Sequence, residues 1–200
     1  GYDEEQALRV GELETRADKY EDALGTYIMK ISTKNLKKED SEMLNVMLHC
    51  IGDFERISDY ACNLCDSARE LQQKNMQFSP KAETELDILS SAVREAVDIS
   101  FDAFKSNNKN EADKVEPLEE LIDTLAVELK ARHIRRLREG KCTIELGFAH
   151  SDILNNLERV ADHCSNIAVD VIQSDQLEFD AHEYLDRIKN KDNQQIGRAS

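Results

Sequence analysis

Two segments carry the same polar signature inside otherwise apolar helical patterns. Gly52-Asp53-Phe54-Glu55-Arg56-Ile57-Ser58-Asp59-Tyr60-Ala61-Cys62-Asn63 and Asn155-Asn156-Leu157-Glu158-Arg159-Val160-Ala161-Asp162-His163-Cys164-Ser165-Asn166 each contain Glu-Arg-x-x-Asp, with an Asn four residues further on. Residues four apart are neighbours on one helix face. Glu55 therefore falls within the apolar stripe Leu44, Met47, Leu48, Ile51, Phe54, Ala61 and Cys65, with Asp59 on its edge. Glu158 and Asp162 stand in the same way against Ile153, Leu154, Leu157, Ala161 and Ala168. A carboxylate in such a stripe is costly to desolvate unless something positive meets it.

The Glu-x-x-x-Asp spacing occurs twice more, as Glu14/Asp18 and Glu119/Asp123, each beside the stripe of its own helical segment. The unit is thus a pair of helices, each bringing one Glu/Asp pair, and four carboxylates converge per unit if the stripes face each other. Crowded like charges push one another's pKa values up unless a cation intervenes. A hard cation with oxygen ligands is the natural partner: Mg, Ca, Mn or iron. The plainer alternative is that these acids belong to solvated faces and pair with Arg or Lys. Fourfold repetition beside apolar stripes favours the metal.

Other polar residues take lesser parts. Asn63 and Asn166 continue each Glu-Asp row and are candidates for neutral ligands or for donors to the ligands. Arg56 and Arg159, one residue on from each Glu, could neutralise the acids or meet an anion, and a solvated ion pair is the simpler reading. His163 and its counterpart Tyr60 point to the far side of their helices, away from the acids. The five Cys residues form no disulfide-framework spacing, which suits a reducing compartment, and Cys62-x-x-Cys65 lacks the second pair of a zinc site.

Helices must position all of this. Charged residues are abundant, aromatics few, Trp absent and Pro limited to two, a profile of helices rather than sheets. Periodicity predicts a first helix over 3–32, with Val10, Leu13, Ala17, Tyr20, Leu24, Ile28 and Ile31 as its apolar stripe. Asp40 or Ser41 would cap a second helix to about Gln73, and Ser79-Pro80 starts a third running to Phe104. A fourth begins near Asn110 and ends near Gly140, with Pro117 marking a kink or a false start. Thr143 caps a fifth reaching about Ile172, and Asp180-x-x-Glu183 would cap a short last helix before a disordered tail. The fold class expected is all-α, an antiparallel bundle. The net charge of −15 disfavours nucleic acid and anionic lipid, and no segment has the ~20 apolar residues of a membrane span.

At these motifs the chain resembles the PhoU family, which carries tandem three-helix repeats with paired acidic motifs. The matching runs are Asp53 to Asp59, Leu157 to Ala168 and Val115-Glu116-Pro117-Leu118-Glu119-Glu120. Within the family they look most like the cytoplasmic PhoU-like tail of bacterial sodium/phosphate cotransporter-type proteins. The resemblance implies a first repeat at 1–75 with two long helices, lacking its own first helix. A complete second repeat follows at 79–173, then a short helix and tail at 174–200. It further implies metal clusters, with iron, Mn or Mg as the ion, on Glu14, Asp18, Glu55, Asp59, Glu119, Asp123, Glu158 and Asp162. The function expected is a non-enzymatic regulatory or accessory domain in phosphate homeostasis, at the inner face of the cell membrane. Its partner would be its own transmembrane portion or a phosphate transporter, with inorganic phosphate a further candidate ligand. A carboxylate-bridged metalloenzyme and a metal-free helical adaptor are the alternatives. Ser58 stands where the family often has Gly. The two-helix first repeat should leave apolar surface open, covered by a missing helix or by a second copy in a homodimer.

Overall fold

The computed structural model describes residues 2–32, 34 and 36–174, all of it helices and their connections. Five long helices, α1 (Glu4–Ser32), α2 (Lys38–Gln73), α3 (Pro80–Ser106), α5 (Val115–Arg138) and α6 (Ile144–Ile172), are joined by short loops, with a single helical turn, α4 (Lys109–Ala112), between α3 and α5. The short helix expected after residue 180 lies outside the described residues.

Local chemistry sets most boundaries. The Ser79 hydroxyl accepts from the Ala82 N–H while Pro80 occupies the first helical position of α3. Thr143 does the same for Leu146 at the start of α6. Asn107, at a φ of 48°, turns the chain left-handed at the end of α3. The expected fourth helix divides. Asn108 caps the brief α4, and α5 restarts at Val115 with Pro117 in its first turn, where a missing N–H costs nothing. Pro117 therefore marks a false start rather than a kink. The second helix begins earlier than its capping residues suggested. Lys37 holds its N-cap position without a side-chain bond, and Asp40 and Ser41 lie within the first turns.

The antiparallel pair α2 and α6 forms the centre, and the two motif copies cross there. Asp53 on α2 accepts from Asn166 on α6 at 3.1 Å and meets His163 Nδ1 at 2.7 Å. Tyr60 stacks on His163, and the Cys50 thiol reaches Asp170. Helices α3 and α5 pack on α6, and α1 packs on α2. Leu89, Ile122, Leu154, Ile167 and Val171 fill the core of the α3–α5–α6 trio, joined by Val46 and Cys50 from α2. Phe54 extends that core, edge-on to Phe101 and Phe104.

Helix α1 contributes no residue to this core, and its expected stripe is only partly turned inward: Ile28 is buried and Val10, Ala17 and Ile31 are half-buried, but its other members are not. Its buried residues are Ala7, Glu21, Gly25 and Ile28. Leu13, Tyr20, Leu24 and Tyr27 are exposed, Tyr20 to 59% and Tyr27 to 62%. Two helices share only one seam. That seam took the small and acidic residues of α1, and among the described residues no third helix lies against its larger apolar row.

Candidate metal centre

The seam between α1 and α2 is where the first set of acids meets. Gly25 is buried on α1, and Gly52 of α2 faces Glu21, whose Oε1 would lie in ordinary contact, 3.9 Å, with an added Cβ. Into this seam Asp18 and Glu21 of α1 and Glu55 of α2 bring carboxylate oxygens that all lie within 4.8 Å of one another. Glu55 is 6% exposed and Glu21 9%, while Asp18 opens to solvent. Arg56 closes one side, its Nε 3.7 Å from Glu55 and its Nη1 3.5 Å from Asp59. Glu14 and Asp59 fall outside the convergent three. They lie along the same seam close to Cys62, whose thiol is pushed up by burial first and then by Glu14, Cys65 and Asp59.

The second set repeats the arrangement between α5 and α6. Glu119 and Asp123 of α5 and Asp162 of α6 bring oxygens within 4.8 Å of one another. Burial, then Asp123, Glu116 and Asp162, raise the Glu119 carboxyl above its ordinary range. Burial, then Asp162 and Glu158, raise Asp123, with Lys130 opposing. The group borders a hollow of about 460 Å³ that Asp123, Asn155, Glu158 and Asp162 help to line. Glu158 is drawn out of the convergence by a bond from Lys130 Nζ, and Arg159 Nη1 reaches Asp162 at 3.2 Å.

Five of the eight sequence-predicted acids are thus brought into two groups of three: Asp18 and Glu55 in one, Glu119, Asp123 and Asp162 in the other. Glu14, Asp59 and Glu158 adjoin them. Glu21 is the functional candidate that sequence reasoning missed. It stands three residues after Asp18, so the i,i+3 spacing could have found it where an i,i+4 search did not. Asn166 donates to Asp53 at the α2–α6 crossing. His163 is likewise held there, away from both groups. All five cysteines are free, with Cys62 and Cys65 half-buried.

The donor sets fit a hard cation. Two oxygens on one Ca²⁺ can be no more than about 5 Å apart, twice a coordination distance, and each trio already meets that bound. Each trio is all carboxylate, without His or Cys, which excludes the soft-metal geometries.

A duplicated all-helical bundle with a carboxylate seam in each half is the class of protein that this architecture defines. Residues 1–68 and 86–171 match the PhoU domain, and the chain belongs to the PhoU family. PhoU family proteins are regulatory accessory proteins, not enzymes. The chain is 29% identical over 120 residues to a Thermotoga maritima protein called phosphate-specific transport system accessory protein PhoU homolog 1, covering 60% of this chain and 51% of that one. It is 24% identical over 166 residues to the PhoU homolog of that system from Synechocystis, covering 82% of this chain and 72% of that one. The chain therefore spans about half the length of the Thermotoga relative. The crystal structure of PhoU from Pseudomonas aeruginosa superposes with a TM-score of 0.77 at 23% identity, covering 84% of this chain and 80% of that one, and so shares the fold. Among the described residues no helix is long and apolar enough to cross a membrane.

Proposed function

We propose that this chain is a metal-binding regulatory domain of phosphate transport, acting in the cytoplasm on a transporter at the membrane. The observation that carries the reading is the convergence of three carboxylates on the seam of each helix pair. Asp18, Glu21 and Glu55 would hold one ion or cluster, and Glu119, Asp123 and Asp162 the other, with Glu14, Asp59 and Glu158 available to extend them. Bound metal would supply positive charge, which neutralises each seam, and open coordination positions. The protein's own part is to fix the spacing of the helices through that seam. A regulatory signal is then a change in how tightly α1 is held on α2, or α5 on α6.

The names of the Thermotoga and Synechocystis relatives support a separate phosphate-specific transport system as the partner. A covalently joined sodium/phosphate cotransporter remains the finer alternative within the same function. The exposed row Leu13, Tyr20, Leu24 and Tyr27 is proposed as the contact of a homodimer. Light scattering of the Leu24→Glu/Tyr27→Glu variant checks this, with a shift toward monomer expected.

Elemental analysis of protein purified without chelator tests the metal reading. Several equivalents of iron, Mn or Mg are expected, lost in a Glu55→Ala/Asp123→Ala variant that keeps its helicity. Wild-type protein that stays metal-free when each of these ions is supplied would overturn it.

A further inference from the structure

A second charged site lies far from the acidic seams in character, and opposite in sign. Between the start of α3 and the end of α5 is a hollow of about 290 Å³ lined by Lys81, Arg132, Arg135, Arg136 and Lys141. Only Glu85 and Glu139 oppose these five cations in the lining, in a chain whose net charge is −15. Basic residues in a last helical turn are ordinary partners of the helix dipole. Two features go beyond that. Lys81 and Lys141 come from other segments, and Ser79 at the start of α3 lines the same hollow.

The interior side is also built. Glu85, 7% exposed, accepts from Arg136 Nη1 at 2.7 Å and from Arg132 Nη1 at 3.3 Å, which holds both guanidinium groups in place. Burial alone would raise the Glu85 carboxyl, and the two arginines outweigh it and hold it below its ordinary range. Arg136 Nε and Nη2 are buried with no hydrogen-bond partner. Two further buried nitrogens without a partner, His133 Nδ1 and His150 Nε2, belong to imidazoles stacked at 4.2 Å that feel the Arg136 charge. These sealed atoms lie behind the hollow, and the groups that face it are the exposed ends of Lys81, Arg132, Arg135 and Lys141. Glu139 pairs with Lys141 at 2.7 Å and Glu128 with Arg132 at 2.9 Å, so five cations less Glu85, Glu139 and Glu128 leave an excess of two positive charges. Guanidinium forks recognise planar or tetrahedral oxyanions, and that excess suits a multiply charged one. A membrane headgroup is disfavoured by the chain's overall negative charge, which leaves a small soluble anion.

We propose that this hollow binds a small phosphate-bearing anion of the inorganic phosphate or pyrophosphate kind. Arg132 and Arg135 would grip its oxygens, and Lys81 and Lys141 would close over it. The site is separate from the carboxylate seams and does not depend on metal at either of them.

The test is calorimetric titration of inorganic phosphate and of pyrophosphate into the full chain, stripped of metal and freed of chelator. The Arg135→Gln/Lys141→Gln variant changes two exposed side chains and leaves the Glu85–Arg136 pair intact, so it should fold as the wild type does by circular dichroism. Saturable binding of at least one anion is expected, weakened at least about tenfold in that variant because two charge-assisted contacts go. The same binding should persist in Asp123→Asn. No saturable binding by the stripped wild type would overturn the proposal. So would binding that Arg135→Gln/Lys141→Gln leaves unchanged, or binding that Asp123→Asn abolishes.

Discussion

Replacing Asp123 with Asn should have opposite effects with and without metal. In the metal-free protein Asp123 faces Glu119 and Asp162, each with an oxygen within 4.8 Å. At that distance two unit charges repel by about 0.9 kcal/mol in bulk water and roughly 3.5 kcal/mol at the effective dielectric of a protein surface. Asp123 is exposed, so the lower figure applies, and salt and the nearby Lys130 reduce it further. Two such repulsions removed, less screening, leave a gain of about 1 kcal/mol, or roughly 2–4 °C in a domain of this size. The pH dependence follows from the same geometry. Burial and neighbouring acids raise Asp123 above 3.8 in the fold, so the folded protein binds its proton more tightly than the unfolded chain. The penalty is absent below 3.8, grows as pH rises toward the raised folded value, and is complete above it. In saturating Mn²⁺ or Fe²⁺ the sign reverses, because the variant has lost a ligand. Binding at a hundred times Kd contributes about 2.7 kcal/mol, and part of that disappears. Thermal unfolding at pH 7 in chelator and in excess metal reads both arms. A variant that is less stable than wild type in chelator, or that responds to metal just as wild type does, refutes the argument.

Lys130→Met should raise the affinity of the second carboxylate group for Mn²⁺ by releasing Glu158, seen as tighter binding in calorimetric titration, with the first group unchanged. Arg136→Met should cost about 1.5–3 kcal/mol in urea unfolding, since it leaves the buried Glu85 carboxylate with only the longer bond from Arg132, and Glu85→Leu added to it should recover much of the loss. The contribution of Glu85 is present above its ordinary 4.5 and is lost as pH falls through its depressed folded value, which acid unfolding of the wild type will follow. Burial pushes His150 down from 6.5 to about 4, so stability should fall as pH drops from 6.5 toward 4, by up to about 1.4 kcal/mol per pH unit. His150→Phe should flatten that slope without removing it, because His133 is depressed in the same way.

The helices were legible because their punctuation is strong. Ser79-Pro80, Asn107-Asn108 and Thr143 act through bonds within a few residues, so no distant contact is needed to read them. The break between α4 and α5 was half-legible, as Pro117 excludes a helical hydrogen bond at its own position but does not say which side of it the helix begins. The face of α1 was misread for a different reason. Periodicity finds an apolar row but cannot say whether a partner covers it, and the seam with α2 took Ala7, Gly25 and Glu21 instead of Leu13, Tyr20 and Leu24. The site follows from the same packing. Glu14 and Glu21 are seven residues apart and share one face of α1, but Glu14 lies about 10 Å further along the axis, so Glu21 rather than Glu14 joins Asp18 and Glu55.

The two halves are also chemically unequal, although their motifs are copies and α1 and α5 turn corresponding positions inward. Glu14 and Asp18 correspond to Glu119 and Asp123, so Glu21 corresponds to Ala126 and Gly25 to Lys130. Where the first seam has gained a buried carboxylate beside a glycine, the second has gained an ammonium group that already bonds Glu158. A lysine in the seam does part of what a metal would do, at the distance where Coulomb attraction is strongest and without dependence on supply. The first seam has Arg56 beside it, one-third exposed and shared between Glu55 and Asp59. Helix α1, absent from the core cluster, is also the helix with the least hydrophobic packing to fall back on. If metal occupancy is the regulatory variable, the α1–α2 seam is the half that responds to it, and the α5–α6 half, locked by its own core and by Lys130, is the frame against which it moves.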